Sequence, residues 1–452
     1  MSKLFDFKKI KRVYFFGIGG IGMSAIARMF LLRSPSETSR RVRVSGSDIS
    51  DSEILNELRE LGANISIGQS IAELPKNIDL IIYSAAISVA DPELFKKIKK
   101  VKIPSISYAE ALGVISEGKK TIAVSGTHGK TTTTAMIAKI LIDAGTAPTV
   151  LIGSLVEDPK TGKQVNFIKG GSDYFLVEAD EYQRSFLTLH PTVLVVTNID
   201  VDHLDYYRDL ADVQSAFVEL AKKVPKDGAV VTDLNNPNVE PVLEAARAPV
   251  LDYASVDITG LVLKFPGEHN RENARVALTV SGFLGVPREK AIASLNKFKG
   301  AWRRFEYKGE TANGALVYDD YAHNPQKVRA VLAGAREMFP KKRIVAVFQP
   351  HLYSRTKTLL TEFSKSFADA DEVIFLPIFP AREKFDPSIS SEMLAVEIKK
   401  LNTEKSVRYI VLFEETVDYL EKNADKNSVI LTIGAGDVYK IAETIVKKKS
   451  AS

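Results

Sequence analysis

The sequence predicts an α/β protein of two or three domains with doubly wound sheets. Three observations carry this. At 452 residues the chain is longer than one ordinary core can organise, since domains run to about 100–200 residues. Short apolar, β-branched runs alternate with helical stretches along the chain, the pattern of doubly wound sheets. Glycine-bearing turns also follow strand-like runs and open helices, at GIGGIG after Val13–Phe16 and GTHGK after Thr121–Val124. Both are places where a sheet edge meets a helix N-terminus and binds phosphate.

Composition narrows the function. Hydrophobic content of 45% and charged content of 26% are those of a soluble globular chain. A net charge of +5 over this length makes no case for nucleic acid as partner. With no cysteine, disulfides, thiolate metal sites and cysteine nucleophiles are excluded. No apolar run is long enough to insert in a membrane, so a cytoplasmic location is expected.

In the first segment, 1–118, Gly17, Gly19 and Gly22 satisfy G-x-G-x-x-G, with Gly20 and Ile21 inside the turn, between a strand at Val13–Phe16 and a helix from Met23. The backbone there can approach a diphosphate closely. Further strands are predicted at Val42–Ser45, Ile65–Ile67, Leu80–Ser84 and Ile103–Ser105. A dinucleotide fold places its ribose-binding carboxylate about 20 residues after the glycines. Asp48 lies 31 beyond Gly17 (48 − 17), with the insertion LLRSPSETSRR between. The residues alone therefore leave NAD and other diphosphates open. Ser84 ends a strand at the edge where such sheets bind ligands; a plain turn of small residues accounts for it equally well.

The second segment, 119–298, carries the phosphate loop. Gly126, Thr127, His128 and Gly129 break the strand, and Lys130, Thr131 and Thr132 open a helix running to about Asp143. Backbone N–H groups would cradle phosphates, Lys130 would reach the β/γ-phosphates and the Thr131 hydroxyl would ligate Mg²⁺. The usual pattern has a glycine where Val124 stands; Gly126 serves instead. Two later strands, Phe175–Val177 and Val193–Val196, end in Glu178 and in a loop leading to His203. In a parallel sheet these ends share the edge of the phosphate loop, so Glu178 and His203 can hold divalent ions beside the triphosphate. Asn270 and Asn273, three apart on one helical face, can address one ligand, and an amide suits an adenine edge.

In the third segment, 299–452, Arg303 and Arg304 mark a junction. Strands at Leu316–Tyr318 and Arg343–Phe348 then end in DDYAHNP and QPHLYSRT, and others are predicted at Glu372–Leu376, Tyr409–Phe413 and Val429–Ile433. The Gly434/Gly436 turn reads as helix–sheet packing with only part of a dinucleotide pattern.

Taken together, GIGGIGMSAIA, GTHGKTTTTA, EADE, NIDVDHLDYY, HNRENA, RRFE, DDYAHNP and FQPHLYSRT resemble, in order and along the whole chain, the motifs of the Mur ligases. The resemblance implies a Rossmann-like UDP-sugar domain, a P-loop ATPase-like central domain with a parallel-rich sheet, and a Rossmann-like C-terminal domain that binds an amino acid. It implies that Gly17, Gly19, Gly20, Ile21, Gly22, Asp48 and Ser84 hold a UDP-sugar rather than NAD. The implied chemistry is amide ligation through an acyl phosphate, with UDP-N-acetylmuramate, L-alanine and ATP as substrates. Two Mg²⁺ ions would assist, with Mn²⁺ as the alternative ion.

By motif match, Lys130 would stabilise the moving phosphoryl group, Thr131 and Glu178 would hold one metal, and His203 a second. His269, Asn270 and Asn273 match the adenine site. Arg304 and Asp320 match third-domain residues that reach ATP, and Tyr321, His323, His351 and Arg355 the amino-acid end. Phe217 stands where several members carry a carbamylated lysine, which fits the alanine-adding branch. Leu352 replaces an arginine and Asn324 a histidine of that branch. The rivals are a tripeptide-recycling ligase acting on the same UDP-sugar, a folate polyglutamate ligase, a nicotinamide-dependent oxidoreductase and a non-catalytic nucleotide sensor.

Overall fold

The computed structural model describes residues 7–33, 42–203, 206–381, 383–401 and 403–451. Most of the insertion predicted between the glycine turn and Asp48 lies outside them. The chain is a three-domain α/β structure with one sheet in each domain.

The first sheet contains β1 (Arg12–Phe16), β2 (Arg43–Asp48), β3 (Asn64–Ile67), β4 (Leu80–Tyr83) and β5 (Ser105–Ser107). All pairings are parallel, in the order β3-β2-β1-β4-β5. The strand order reverses beside β1, the switch point where open α/β sheets take ligands. β1 there runs into the glycine turn and the helix Ile21–Leu31. β5 starts later than predicted, because the Pro104 carbonyl leads into the ladder by accepting from the Ile81 N–H, while proline itself has none to donate.

The second sheet contains β6 (Lys120–Ser125), β7 (Thr149–Glu157), β8 (Gln164–Ile168), β9 (Tyr174–Glu178), β10 (Val193–Val196), β11 (Ala229–Thr232) and β12 (Val250–Asp252). Its order is β12-β11-β10-β6-β9-β7-β8, parallel except for the β7–β8 hairpin. β6 lies between β10 and β9, and Val124 is in register with both Val195 and Glu178. The ends of these three strands are thus level, so one edge carries the phosphate loop with its flanking groups.

The third sheet contains β13 (Glu306–Glu310), β14 (Leu316–Asp320), β15 (Arg343–Phe348), β16 (Glu372–Phe375), β17 (Ser406–Tyr409) and β18 (Ser428–Ile433), in the order β13-β14-β18-β15-β16-β17. Only β13 is antiparallel. β17 ends where the sequence predicted a strand to begin. Phe413 instead opens the helix Phe413–Asn423, whose first turn carries Glu414 and Glu415, charges that suit a helix N-terminus. The Gly434/Gly436 turn does pack: a side chain on Gly436 would collide with Gln349 and the Phe379 ring.

The chain divides into two compact units, Met1–Val262 with Glu272–Phe298, and Leu263–Arg271 with Lys299–Ser452. The first two sheets share the first unit, and a single apolar core runs through both, from Phe15 and Phe30 to Val177 and Phe217. Polar groups tie them as well. Asn166 on β8, fully buried, donates to the Ile21 carbonyl and, at 2.8 Å, to the Ser24 hydroxyl, while its oxygen accepts from buried Arg28. The glycine-turn helix is therefore held on the hairpin of the neighbouring sheet.

Candidate functional site

The phosphate loop follows from its backbone. Gly129, at φ 84°, caps the helix Lys130–Asp143 from the left-handed region, and Gly126 sits at φ 130°. A side chain on Gly126 would run into the Thr197 hydroxyl, and one on Gly129 into Asn273. Thr197 and Asn198, which follow β10, pin the loop from beneath: the Asn198 oxygen accepts the His128 N–H at 2.9 Å, and both side chains donate to the His128 carbonyl. The backbone N–H groups of Gly129, Lys130 and Thr132 have no protein acceptor among the described residues. Such a set of free donors at a helix N-terminus suits phosphate.

Lys130 folds back over this loop. Its Nζ donates to the Gly126 carbonyl at 2.6 Å and to both oxygens of Glu181, at 2.9 and 2.8 Å. Burial works against the ammonium, but Glu181, Asp180 and Glu178 outweigh it and hold its pKa above the ordinary value. Lys130 is charged at neutral pH. Glu181, the last residue of EADE, is 2% exposed, a depth that its polar neighbours in the sequence do not signal.

The residues predicted to hold metal divide into two places. Thr131 donates to Glu178 Oε1 at 2.7 Å, and the other Glu178 oxygen accepts the Gly153 N–H at 2.7 Å. His203, at φ 55°, lies instead beside Glu181, with Nε2 3.7 Å from Oε1. Asp180, Glu181 and His203 bring ligating atoms within 4.8 Å of one another. Hydroxyl and carboxylate oxygens fit Mg²⁺, and the carboxylate–imidazole group fits a divalent ion. The Lys130 ammonium already occupies both Glu181 oxygens, however, leaving Asp180 and His203 the more available donors.

At the glycine turn, Asp48 accepts the Gly19 N–H at 2.7 Å, and a side chain on Gly17 would touch Ser84. The predicted residues Gly17, Gly19, Asp48 and Ser84 therefore meet. The Gly17 and Ile18 N–H groups bond to the Ser47 carbonyl and that of Gly20 to Gly17. This leaves Ile21, Gly22 and Met23, in the first turn of the helix, as donors without a protein acceptor among the described residues.

Asn273 and Asn270, both 6% exposed, begin the helix Glu268–Phe283. Asn273 accepts from the Thr133 hydroxyl at 3.0 Å, which ties it to the phosphate-loop helix; Asn270 donates to the Pro266 carbonyl at 2.6 Å. His269, beside them in the first turn, is exposed; partial desolvation of its ring lowers its pKa against the pull of Asp320.

In the second unit the two adjacent arginines separate. Arg303 is 3% exposed and pairs with Asp319 at 2.8 Å, and its other nitrogens bond to the Gly434 and Gly436 carbonyls. Arg304 is half-buried, with its guanidinium 5.4 Å from the Tyr321 ring centre. Asp320 accepts the Phe305 and Ala322 N–H groups, both at 2.7 Å, and burial raises its pKa. The His323 and His351 rings lie 6.0 Å apart, and Arg355 reaches His351 Nδ1 at 3.3 Å. Burial lowers both imidazoles, His351 to about 4 and His323 well below its usual value, so both are neutral at pH 7. Leu352 takes φ 72°, held by its N–H on the Phe379 carbonyl, and Asn324 caps the helix Pro325–Met338 through the Lys327 N–H.

This geometry has relatives over its full length. Residues 12–120 match the Mur ligase family catalytic domain, 124–258 the Mur ligase middle domain and 303–436 the Mur ligase glutamate ligase domain. The chain is 41% identical to a UDP-N-acetylmuramate–L-alanine ligase of Clostridium kluyveri, over 97% of this chain and 98% of that one. It is 39% identical to the enzyme of that name from Clostridium tetani, over 98% and 100%. Among solved structures, the UDP-N-acetylmuramate-alanine ligase of Thermotoga maritima superposes with a TM-score of 0.79 at 28% identity, covering 97% of this chain and 99% of that chain. A murein peptide ligase from Psychrobacter arcticus shares the fold, with a TM-score of 0.68 at 22% identity, covering 98% and 99%. With its phosphate loop, its acidic strand ends and all three domain types in sequence, the chain belongs to the Mur ligase family.

Proposed function

We propose that this chain joins L-alanine to the lactyl carboxylate of UDP-N-acetylmuramate, converting ATP to ADP and phosphate, a step of peptidoglycan precursor synthesis. The observation that carries this is the phosphate loop with Lys130 locked on Glu181 and Thr131 on Glu178, in a chain about 40% identical, nearly end to end, to relatives of that name. The substrates are UDP-N-acetylmuramate, L-alanine and ATP, and Mg²⁺ serves the family.

The chemistry needs positioning and charge neutralisation more than covalent help. A lactyl carboxylate oxygen attacks the γ-phosphorus, ADP leaves, and the alanine amine then attacks the acyl carbon and expels phosphate. The free N–H groups of Gly129, Lys130 and Thr132 hold the triphosphate, with Gly126, Thr127 and His128 shaping the loop. Lys130, kept charged by Glu181, neutralises the phosphoryl group as it moves. Magnesium, when bound, shields the charge of the phosphate oxygens. Thr131 and Glu178 would hold one ion, and His203 with Asp180 a second; Mn²⁺ is an alternative for either.

His269, Asn270 and Asn273 form the adenine end, and Arg304 and Asp320 are the third-domain residues assigned to ATP. The glycine turn with Asp48 and Ser84 takes the UDP-sugar. Tyr321, His323, His351 and Arg355 form the amino-acid end, where Arg355 is the cation available for a carboxylate given Leu352. The functional domains are 1–118, 119–298 and 299–452. No helix of the described residues is long and apolar enough to cross a membrane; the cytoplasm is the compartment we assign.

The test is product mass after incubation with ATP, Mg²⁺ and UDP-N-acetylmuramate, scanned across L-Ala, L-Ser, Gly and the murein tripeptide. The expected product carries one alanine. A product formed only with the tripeptide would overturn the assignment in favour of the recycling ligase.

A further inference from the structure

Tyr108 opens the helix Tyr108–Ser116 that follows β5, and its ring lies against the third glycine of the turn. A Cβ built on Gly22 would fall 2.5 Å from Tyr108 Cζ and 2.6 Å from the hydroxyl oxygen. Gly22 thus lacks a side chain to make room for this ring, a reason the motif alone did not supply. The hydroxyl is beside the first turn of the helix Ile21–Leu31, where the Ile21, Gly22 and Met23 N–H groups are free. It has no protein hydrogen-bond partner among the described residues, although the side chain is half-buried. Burial, and then the Glu178 and Asp180 carboxylates, push its pKa up. The group is a neutral donor at every working pH, between the glycine turn and the acidic strand end of the second sheet. An unsatisfied half-buried donor costs stability unless a ligand completes it.

We propose that the Tyr108 hydroxyl is a substrate-binding group that donates a hydrogen bond to a diphosphate oxygen of the UDP-sugar, completing the set begun by the free N–H groups of Ile21, Gly22 and Met23. This rests on the assignment of the glycine turn to UDP. A bare packing role needs only the ring, which phenylalanine keeps; a binding role needs the oxygen. A neutral donor on a charged acceptor is worth about ten-fold in affinity when water competes for the site.

The test is calorimetric titration of wild type and Tyr108→Phe with UDP and with UDP-N-acetylmuramate, and of both proteins with Mg²⁺-ATP. We expect the variant to bind both uridine ligands about ten-fold more weakly and ATP within two-fold of wild type. Equal UDP affinity in the two proteins overturns the role of Tyr108 while leaving the turn as the UDP site. Absence of UDP binding to wild type overturns the assignment of the turn itself. Weakened ATP binding with unchanged UDP binding also refutes the proposal, since the hydroxyl would then serve the phosphate-loop side.

Discussion

Replacing Lys130 by methionine keeps an unbranched apolar stem of nearly the same reach and removes the ammonium. The structure fixes two consequences. The first is catalytic: the one cation on the phosphate loop is lost, and we expect phosphate release to fall by about 10³-fold or more. The second is structural. Glu181, 2% exposed, is left without the ammonium that contacts both its oxygens, and breaking a buried pair from one side costs about 3–5 kcal/mol. Glu181 is already pushed up by burial, with Lys130 pulling the other way and Asp180 adding to the push. In the variant the pull is gone. A carboxyl whose folded pKa lies above its unfolded value holds its proton more readily when folded. Its unfavourable effect is thus largest at high pH and fades as the pH falls toward the unfolded carboxylate range. The stability deficit of Lys130→Met should therefore be about 3–5 kcal/mol at pH 8 and clearly smaller at pH 5. Urea unfolding followed by circular dichroism measures it. The only tryptophan, Trp302, lies in the second unit, so a transition seen by dichroism and not by tryptophan fluorescence reports the first. A deficit equal at both pH values, or retained turnover, would refute the reasoning.

Three further outcomes follow from the geometry. Arg303→Met should destabilise the second unit by about 3–5 kcal/mol by stranding fully buried Asp319, as read by Trp302 fluorescence in urea. Arg304→Met should leave that transition within about 0.5 kcal/mol and lower kcat; the reverse pattern would contradict the separation of the two. Gly126→Ala forces a side chain onto a φ of 130° and into Thr197. It should lower kcat/KM for ATP by about 10²-fold through misplacement of the loop, and an active variant would contradict the loop geometry. His351 should titrate with a midpoint near pH 4 in proton NMR. Because its folded pKa is depressed, its contribution to stability is complete above the unfolded value and is lost as the pH falls through the folded one; a midpoint above pH 6 contradicts its burial.

What could be read beforehand was local. The strand–loop–helix at Thr121–Asp143 announces itself in contiguous residues, and so do the parallel strands, because each is a short apolar run ending in polar groups. Level placement of Glu178 and the β10 end followed from parallel pairing alone. The groups that escaped depend on partners distant in the chain. Glu181 looks like any acidic residue of EADE until Lys130, 51 residues away, closes on it. Asn166 sits on a hairpin whose mixed sequence gave no strand signal, and its buried contacts to Ile21 and Ser24 cross 145 and 142 residues. Arg303 and Arg304 are neighbours of one type, and only the positive φ at Arg303, 57°, turns one inward and leaves the other half-buried. His203 shares its sheet edge with Thr131 and Glu178, and its nearness to Glu181 depends on a local φ of 55° that no sequence pattern announces.

The account turns on a γ-phosphoryl group passing from the phosphate loop to a sugar-borne carboxylate. Labelling both lactyl carboxylate oxygens of UDP-N-acetylmuramate with oxygen-18 and collecting the phosphate released with L-alanine tests this directly. Transfer through an acyl phosphate moves one labelled oxygen into each phosphate, because the carboxylate oxygen that attacks phosphorus leaves with it when the amine displaces the group. Unlabelled phosphate would mean that water, not the carboxylate, receives the phosphoryl group, and would contradict the account.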